Sequence, residues 1–171
     1  MVLIAVLAAC RIERIDPGGG RVTVADQSDS AIVAALDEYY DRFSRRAWPE
    51  FRESFWPGAL IATRWQAPGA AAPAVDLIPL DTFLARTGEG PDRLAVFDER
   101  MVYHEIRRHG DLAAVWATFR ATFAAPGAQP ATHYGVDAFH LLRDGDTWRI
   151  VSLAFTAESP GGSLPKGRTA P

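Results

Sequence analysis

From position 94 onward the chain is built of four long segments rich in β-branched and aromatic residues, separated by short turn signals, and an antiparallel meander is the arrangement that accommodates them. The segments run 94–108, 111–125, 131–143 and 146–157. His109-Gly110 and Asp144-Gly145 mark the turns, and the second is a strong hairpin signal because both of its central residues tolerate positive φ. With Asp144 and Gly145 as the central pair, Arg143 opposes Asp146, and counting back sets Leu141 against Trp148, Phe139 against Ile150 and Asp137 against Ser152. Side chains alternate between faces, so His133, Gly135, Asp137, Phe139 and Leu141 share one face with Trp148, Ile150, Ser152, Ala154 and Thr156. That face is bulky and apolar toward the turn and small and polar toward the far end, as the wall of a tapering cavity requires.

The opposite face of the same hairpin carries Tyr134, Val136, Ala138, Leu142, Val151, Leu153 and Phe155, interrupted by His140 and Arg149. A sheet apolar on both sides needs a second cover, and a second copy of the chain is the expected one, giving a homodimer.

Ahead of the meander the period changes. Ile32, Ala35, Leu36, Tyr39, Tyr40 and Phe43 recur every three or four residues after Ser28 or Ser30, either of which can cap a helix running to about Arg46. Glu38 with Arg42 and Asp41 with Arg45 are acid-before-base pairs on its polar side. Pro49 suits a first helical turn, so 48–56 reads as a second short helix ended by Pro57-Gly58. Short strands are expected at 59–65 and 75–80, an exposed Pro, Gly and Ala loop at 67–74 between them, and a brief helix capped by Asp81 after them. The whole describes an α+β domain over 28–158, a curved antiparallel sheet wrapped on N-terminal helices, followed by a disordered tail at 159–171.

The net charge of -3, without any run of Lys or Arg, excludes the electrostatic footprint of a nucleic-acid binder. Cys10 is the single cysteine, so no disulfide closes within one chain. It follows an apolar run, and Leu7-Ala8-Ala9-Cys10 resembles the lipobox of bacterial lipoproteins. The resemblance implies a signal over 1–10, lipidation of Cys10, a flexible tether over 11–27 and a place in the cell envelope. The run has no basic residue before it, and a cytoplasmic protein with an apolar N-terminus is the alternative.

The order of helix, short helix, strand, short helix and meander, closing with Gly135-Val136-Asp137-Ala138-Phe139-His140-Leu141-Leu142-Arg143 and Trp148-Arg149-Ile150-Val151, resembles the nuclear transport factor 2-like superfamily, nearest its SnoaL-like and lumazine-binding branches. The resemblance covers 28–158 and implies a conical, commonly dimeric fold. The superfamily contains both cofactor-free enzymes and non-catalytic binders, so it leaves function open.

Among the residues, Asp137 is the leading candidate, because a carboxylate in an apolar cavity acquires a raised pKa useful for acid or base work. Its structural alternative is an ordinary carboxylate bonded to Ser152. Resemblance to cofactor-free isomerases implies a base, Asp137 or Glu105, with Tyr39, Tyr40, Tyr103 or Trp116 as hydrogen-bond donors. On the earlier hairpin, Tyr103 and Glu105 share a parity with Trp116, Thr118 and Arg120, whereas His104 shares one with Val115, Ala117 and Phe119. Which set faces inward is left open by the sequence: the first would make the better pocket wall, with Glu105 and Arg120 as an ion pair, and its alternative is a solvated strand face. His133 belongs at the pocket rim, with Phe139, Trp148 and Ser152 along the wall. The four histidines have no metal-ligand spacing, and no nucleotide-binding or serine-nucleophile motif is present, so neither metal nor cofactor is expected. The expected function is binding of a small, mostly apolar molecule in a conical pocket; the alternative is a cofactor-independent isomerase, cyclase or dehydratase working through Asp137.

Overall fold

The structure, a computed structural model, describes residues 27–65 and 71–157. The expected signal, the lipidation of Cys10, the tether and the tail at 159–171 lie outside the described residues.

Helix α1 (Gln27–Ser44) lies across the concave side of the sheet. Its apolar stripe is the one the heptad-like spacing requires: Ile32, Leu36, Tyr39 and Tyr40 are all buried. Each such side chain contributes about 1.5–3 kcal/mol on leaving water. Glu38–Arg42 and Asp41–Arg45 close at 2.7 Å on the outer side, where solvent screens them. Just past the helix, Arg46 turns the chain with φ at 56°. Its guanidinium is held by the carbonyls of Pro91 and Leu94 and lies over the Phe97 ring.

Helix α2 (Trp48–Glu53) is shorter than expected and drives Phe51 into the core. Strand β1 (Phe55–Trp65) begins four residues earlier than the expected start at 59, so Pro57-Gly58 is a kink within a strand and not a helix terminator. Gly58 takes φ of 81°, and the register of β1 shifts between Phe55 and Leu60. Strand β2 (Ala74–Pro79) returns alongside β1 and leads into α3 (Leu80–Ala85). Asp81 does not cap α3, which starts after Pro79 without a side-chain cap bond; it pairs instead with Arg52 of α2.

After two short 3-10 turns come β3 (Val96–His109), β4 (Leu112–Ala124), β5 (Ala131–Asp144) and β6 (Thr147–Ala157), the four strands of the expected meander. The sheet order is β2-β1-β6-β5-β4-β3. The sheet is mixed and not wholly antiparallel, because β1 runs parallel to β6 and only the remaining pairs are antiparallel.

Both meander hairpins turn one residue later than expected. His109 pairs with Leu112 and Asp144 with Thr147, so Gly-Asp is the central dipeptide each time and only the glycines, Gly110 at 58° and Gly145 at 62°, take positive φ. The pairing sum moves by two, so facing is conserved next to the turn: Arg143 meets Trp148 and Leu141 meets Ile150. A bulge at Val151 then changes it. Beyond it Phe139 meets Leu153 and Asp137 meets Phe155, so Leu153 and Phe155 turn inward, and Ser152, Ala154 and Thr156 turn to the outer face. A second bulge, at Val102, has the same effect on β3: Phe97, Glu99 and Met101 face the helices, whereas Tyr103, Glu105 and Arg107 face away.

Candidate functional site

Leu141, Trp148 and Ile150, all buried, close the narrow end of the cone. Above them Tyr39 of α1 is packed edge-on against Phe139, with ring centroids 5.2 Å apart, and against Phe51 and Phe55. Beyond this aromatic floor lies a cavity of about 160 Å³, walled by α1, α2, α3 and all strands but β2. A cavity of that size holds one six-membered ring. Its polar groups are those of Tyr39, Glu99, His133 and Asp137. Ile61, Phe83 and Phe155 also line a wider cleft of about 870 Å³ beside the 3-10 turns, which puts the cavity next to an opening to solvent.

Asp137 is 2 % exposed, on the middle of β5. Tyr40, one turn from the end of α1, donates its hydroxyl hydrogen to Asp137 Oδ2 at 2.5 Å. Burial raises the Asp137 pKa to about 7, and the Tyr40 bond, which favours the charged form, opposes the rise. Burial likewise pushes the Tyr40 and Tyr39 hydroxyls well up, reinforced by the nearby Asp137 charge.

Glu99 completes the group. Its backbone is gripped on both sides by Ser44, whose Oγ accepts from the Glu99 N–H at 2.8 Å and donates to the Glu99 carbonyl at 2.9 Å. That clamp holds β3 against the end of α1 and aims the side chain inward. Burial, then repulsion from Asp137 and Asp98, raises the Glu99 pKa well above the ordinary carboxylate range. Two buried acids facing one cavity disfavour simultaneous ionisation, so they titrate as a pair.

Of the sequence candidates, the structure brings Asp137, Tyr39 and His133 to the cavity; Phe139 and Trp148 support it from below as core. Glu105, Tyr103 and Trp116 are on the outer face, because Val115, Ala117 and Phe119 supply the inward parity of β4. Tyr103 donates to Glu105 at 3.4 Å there, and the expected partner Arg120 sits further along, opposite Arg100. Ser152, turned outward by the bulge, bonds His140 at 2.9 Å and not Asp137. Glu99 was the missing acid, and its signal is its place between Phe97 and Met101 at spacing two in an apolar row. Among the described residues no three His, Cys, Asp or Glu side chains are grouped to hold a metal ion. Among them, too, no helix is long and apolar enough to cross a membrane.

No family model matches the chain, and no curated protein matches it. Solved structures do. An NTF2-like protein of unknown function from Shewanella baltica superposes with a TM-score of 0.53 at 18 % identity, over 78 % of this chain and 95 % of that one. A putative scytalone dehydratase from Novosphingobium aromaticivorans gives 0.64 at 13 % identity, over 83 % and 95 %. The hexachlorocyclohexane dehydrochlorinase LinA-type3 from Novosphingobium barchaimii gives 0.61 at 12 % identity, over 84 % and 94 %. The chain has the nuclear transport factor 2-like fold, a curved sheet closed by N-terminal helices into a cone. Proteins of this fold include named enzymes, and the neighbours leave the ligand of this chain open.

Proposed function

We propose that the protein binds a small, mostly apolar molecule of about one ring in the cone, with one polar group directed at Glu99 and Asp137. The observation that carries this reading is the apolar cavity of about 160 Å³ whose few polar groups converge from α1, β3 and β5. The closing hairpin sequence supports placing the chain nearest the SnoaL-like branch. Native mass spectrometry of the protein purified under mild conditions is expected to show a non-covalent adduct that denaturation releases. A spectrum of bare protein, together with no binding of any small aromatic probe in calorimetry, would sink the reading.

A second reading is supported by one observation, the pairing of a carboxyl of pKa about 7 with a 2.5 Å hydroxyl donor in that cavity. Such a carboxylate can take a proton from a carbon beside a carbonyl or a leaving group. The C–H electron pair then forms the new C=C bond as the oxygen becomes an enolate or the leaving group departs. The names dehydratase and dehydrochlorinase among the structural neighbours favour the same class of step.

We also propose a homodimer joined through the outer sheet face. One lateral row of this face runs across all six strands as Glu105–Trp116–Ala138–Ala154–Ala62–Leu77, and its large members Trp116 and Leu77 are 49 % and 60 % exposed at either end of a trough of alanines. Exposed Leu112, Leu142 and Leu60 extend the patch.

A further inference from the structure

The lining of the cavity has an unusual charge balance. Among the described residues it holds two carboxyls and one histidine and no Lys or Arg, within a wall that includes the rings of Tyr39, Phe43, Phe51, Phe83, Phe119 and Phe123. We propose that the ligand of this cavity is a small organic cation, an alkyl- or arylalkylammonium group held by the Glu99 and Asp137 carboxyls inside the surrounding aromatic faces. The proposal rests on the ligand-binding reading and names the chemical class of its ligand.

Glu99 is 7 % exposed, and among the described residues its carboxyl meets no side-chain hydrogen-bond partner, although its backbone is fully engaged by Ser44. Asp137 accepts one side-chain bond, from Tyr40, on one of its two oxygens. Arg100, the neighbour of Glu99 on β3, and Arg46, just past α1, are committed elsewhere. Arg100 reaches the carbonyls of Tyr40 and Glu99 and ion-pairs with Asp98 at 3.0 Å, half exposed. Arg46 is bound to the carbonyls of Pro91 and Leu94. His133, the single basic group on the wall among the described residues, lies by the Phe123 ring at 6.0 Å from centroid to centroid. Two buried acids without a counter-charge are costly to ionise, and a bound ammonium supplies that charge and up to three donors at once. The negative faces of the rings attract the same cation, most strongly where water is excluded. A neutral molecule of equal size draws on neither effect.

Calorimetric titration of the full chain with benzylamine and with benzyl alcohol, equal in size and different in charge, tests this. At about pH 8 benzylamine is expected to bind at least about tenfold more tightly than the alcohol. Toward pH 5.5 that preference is expected to shrink, because Asp137, with its pKa about 7, takes up its proton while the amine stays charged. Tyr39, Tyr40, Asp98, Arg100 and His133 are the other titratable or charged groups around the pair. The double variant Glu99→Gln/Asp137→Asn is expected to bind both probes alike. Equal or tighter binding of the alcohol by the unaltered protein overturns the cation and leaves the ligand-binding reading in place. Failure of both probes to bind overturns the cation as well, and the ligand-binding reading is then decided by native mass spectrometry alone.

Discussion

Asp137 titrates near 7 in the folded chain and near about 4 once unfolding returns it to water. The folded state therefore holds this proton more tightly than the unfolded state. The associated stability is fully present below about pH 4 and is lost as pH rises through about 7. Replacing Asp137 by Asn removes the part of that dependence that belongs to Asp137 and leaves the part from Glu99. Urea unfolding at a series of pH values is expected to show the variant gaining on the unaltered protein between about pH 4 and pH 8; a constant gap would contradict the assigned burial. Tyr40→Phe acts in the opposite direction at high pH. It takes away the one donor that favours the charged carboxyl, so the Asp137 proton is held to higher pH, at a cost of about 1–3 kcal/mol near pH 8. At this scale Asp137 is legible from the sequence, since a lone acid on the inward parity of an apolar strand has few other places to be. Tyr40 is legible as core but not as the partner of Asp137, because residues 97 positions apart are brought together only by the docking of α1 across β3 and β6.

The elements were legible in type and nearly in extent: all four meander strands and α1 fall within two residues of their sequence bounds at most ends. Facing was legible only as far as the first bulge. Parity counted from a turn is a running sum, and one extra residue inverts everything after it. Hence Leu141, Phe139 and Ile150 face as counted, while Ser152 and Leu153 exchange sides past Val151, and Glu99 and Glu105 point to opposite faces across Val102. Val is a good strand residue at both bulges and carries no local mark of them. Gly135 is the reverse case, a strand glycine whose reason is packing. A Cβ there would fall inside contact distance of the Phe119 ring, on the cavity wall, and of the Thr156 carbonyl on β6. Gly135→Ala forces β5 away from one or the other. We expect a loss of about 1–3 kcal/mol in unfolding free energy together with weaker ligand binding, and a variant as stable as the parent would show that β5 does not run so close to Phe119.

For the whole molecule, the cone and the outer face are separate surfaces of one sheet, and the strand pairing makes them independent. Trp116 and Asp137 belong to adjacent strands but to opposite faces, so a change at Trp116 reaches the cavity only through the backbone of β4 and β5. The outer face is apolar over most of its width, and a two-fold arrangement lets one Trp116 lie in the alanine trough of the other copy without any further element. The unaltered protein is therefore expected to run as a dimer in light scattering coupled to size exclusion. Trp116→Glu places a charge in the middle of that contact, next to the existing Glu105, and is expected to give a monomer with its cavity binding unchanged. A parent that is monomeric at every concentration, or a variant that still dimerises, would remove this face from the assembly. Loss of ligand binding in a folded monomeric variant would carry a different meaning: the second copy then holds the cone in shape, and the two faces are coupled through the sheet they share.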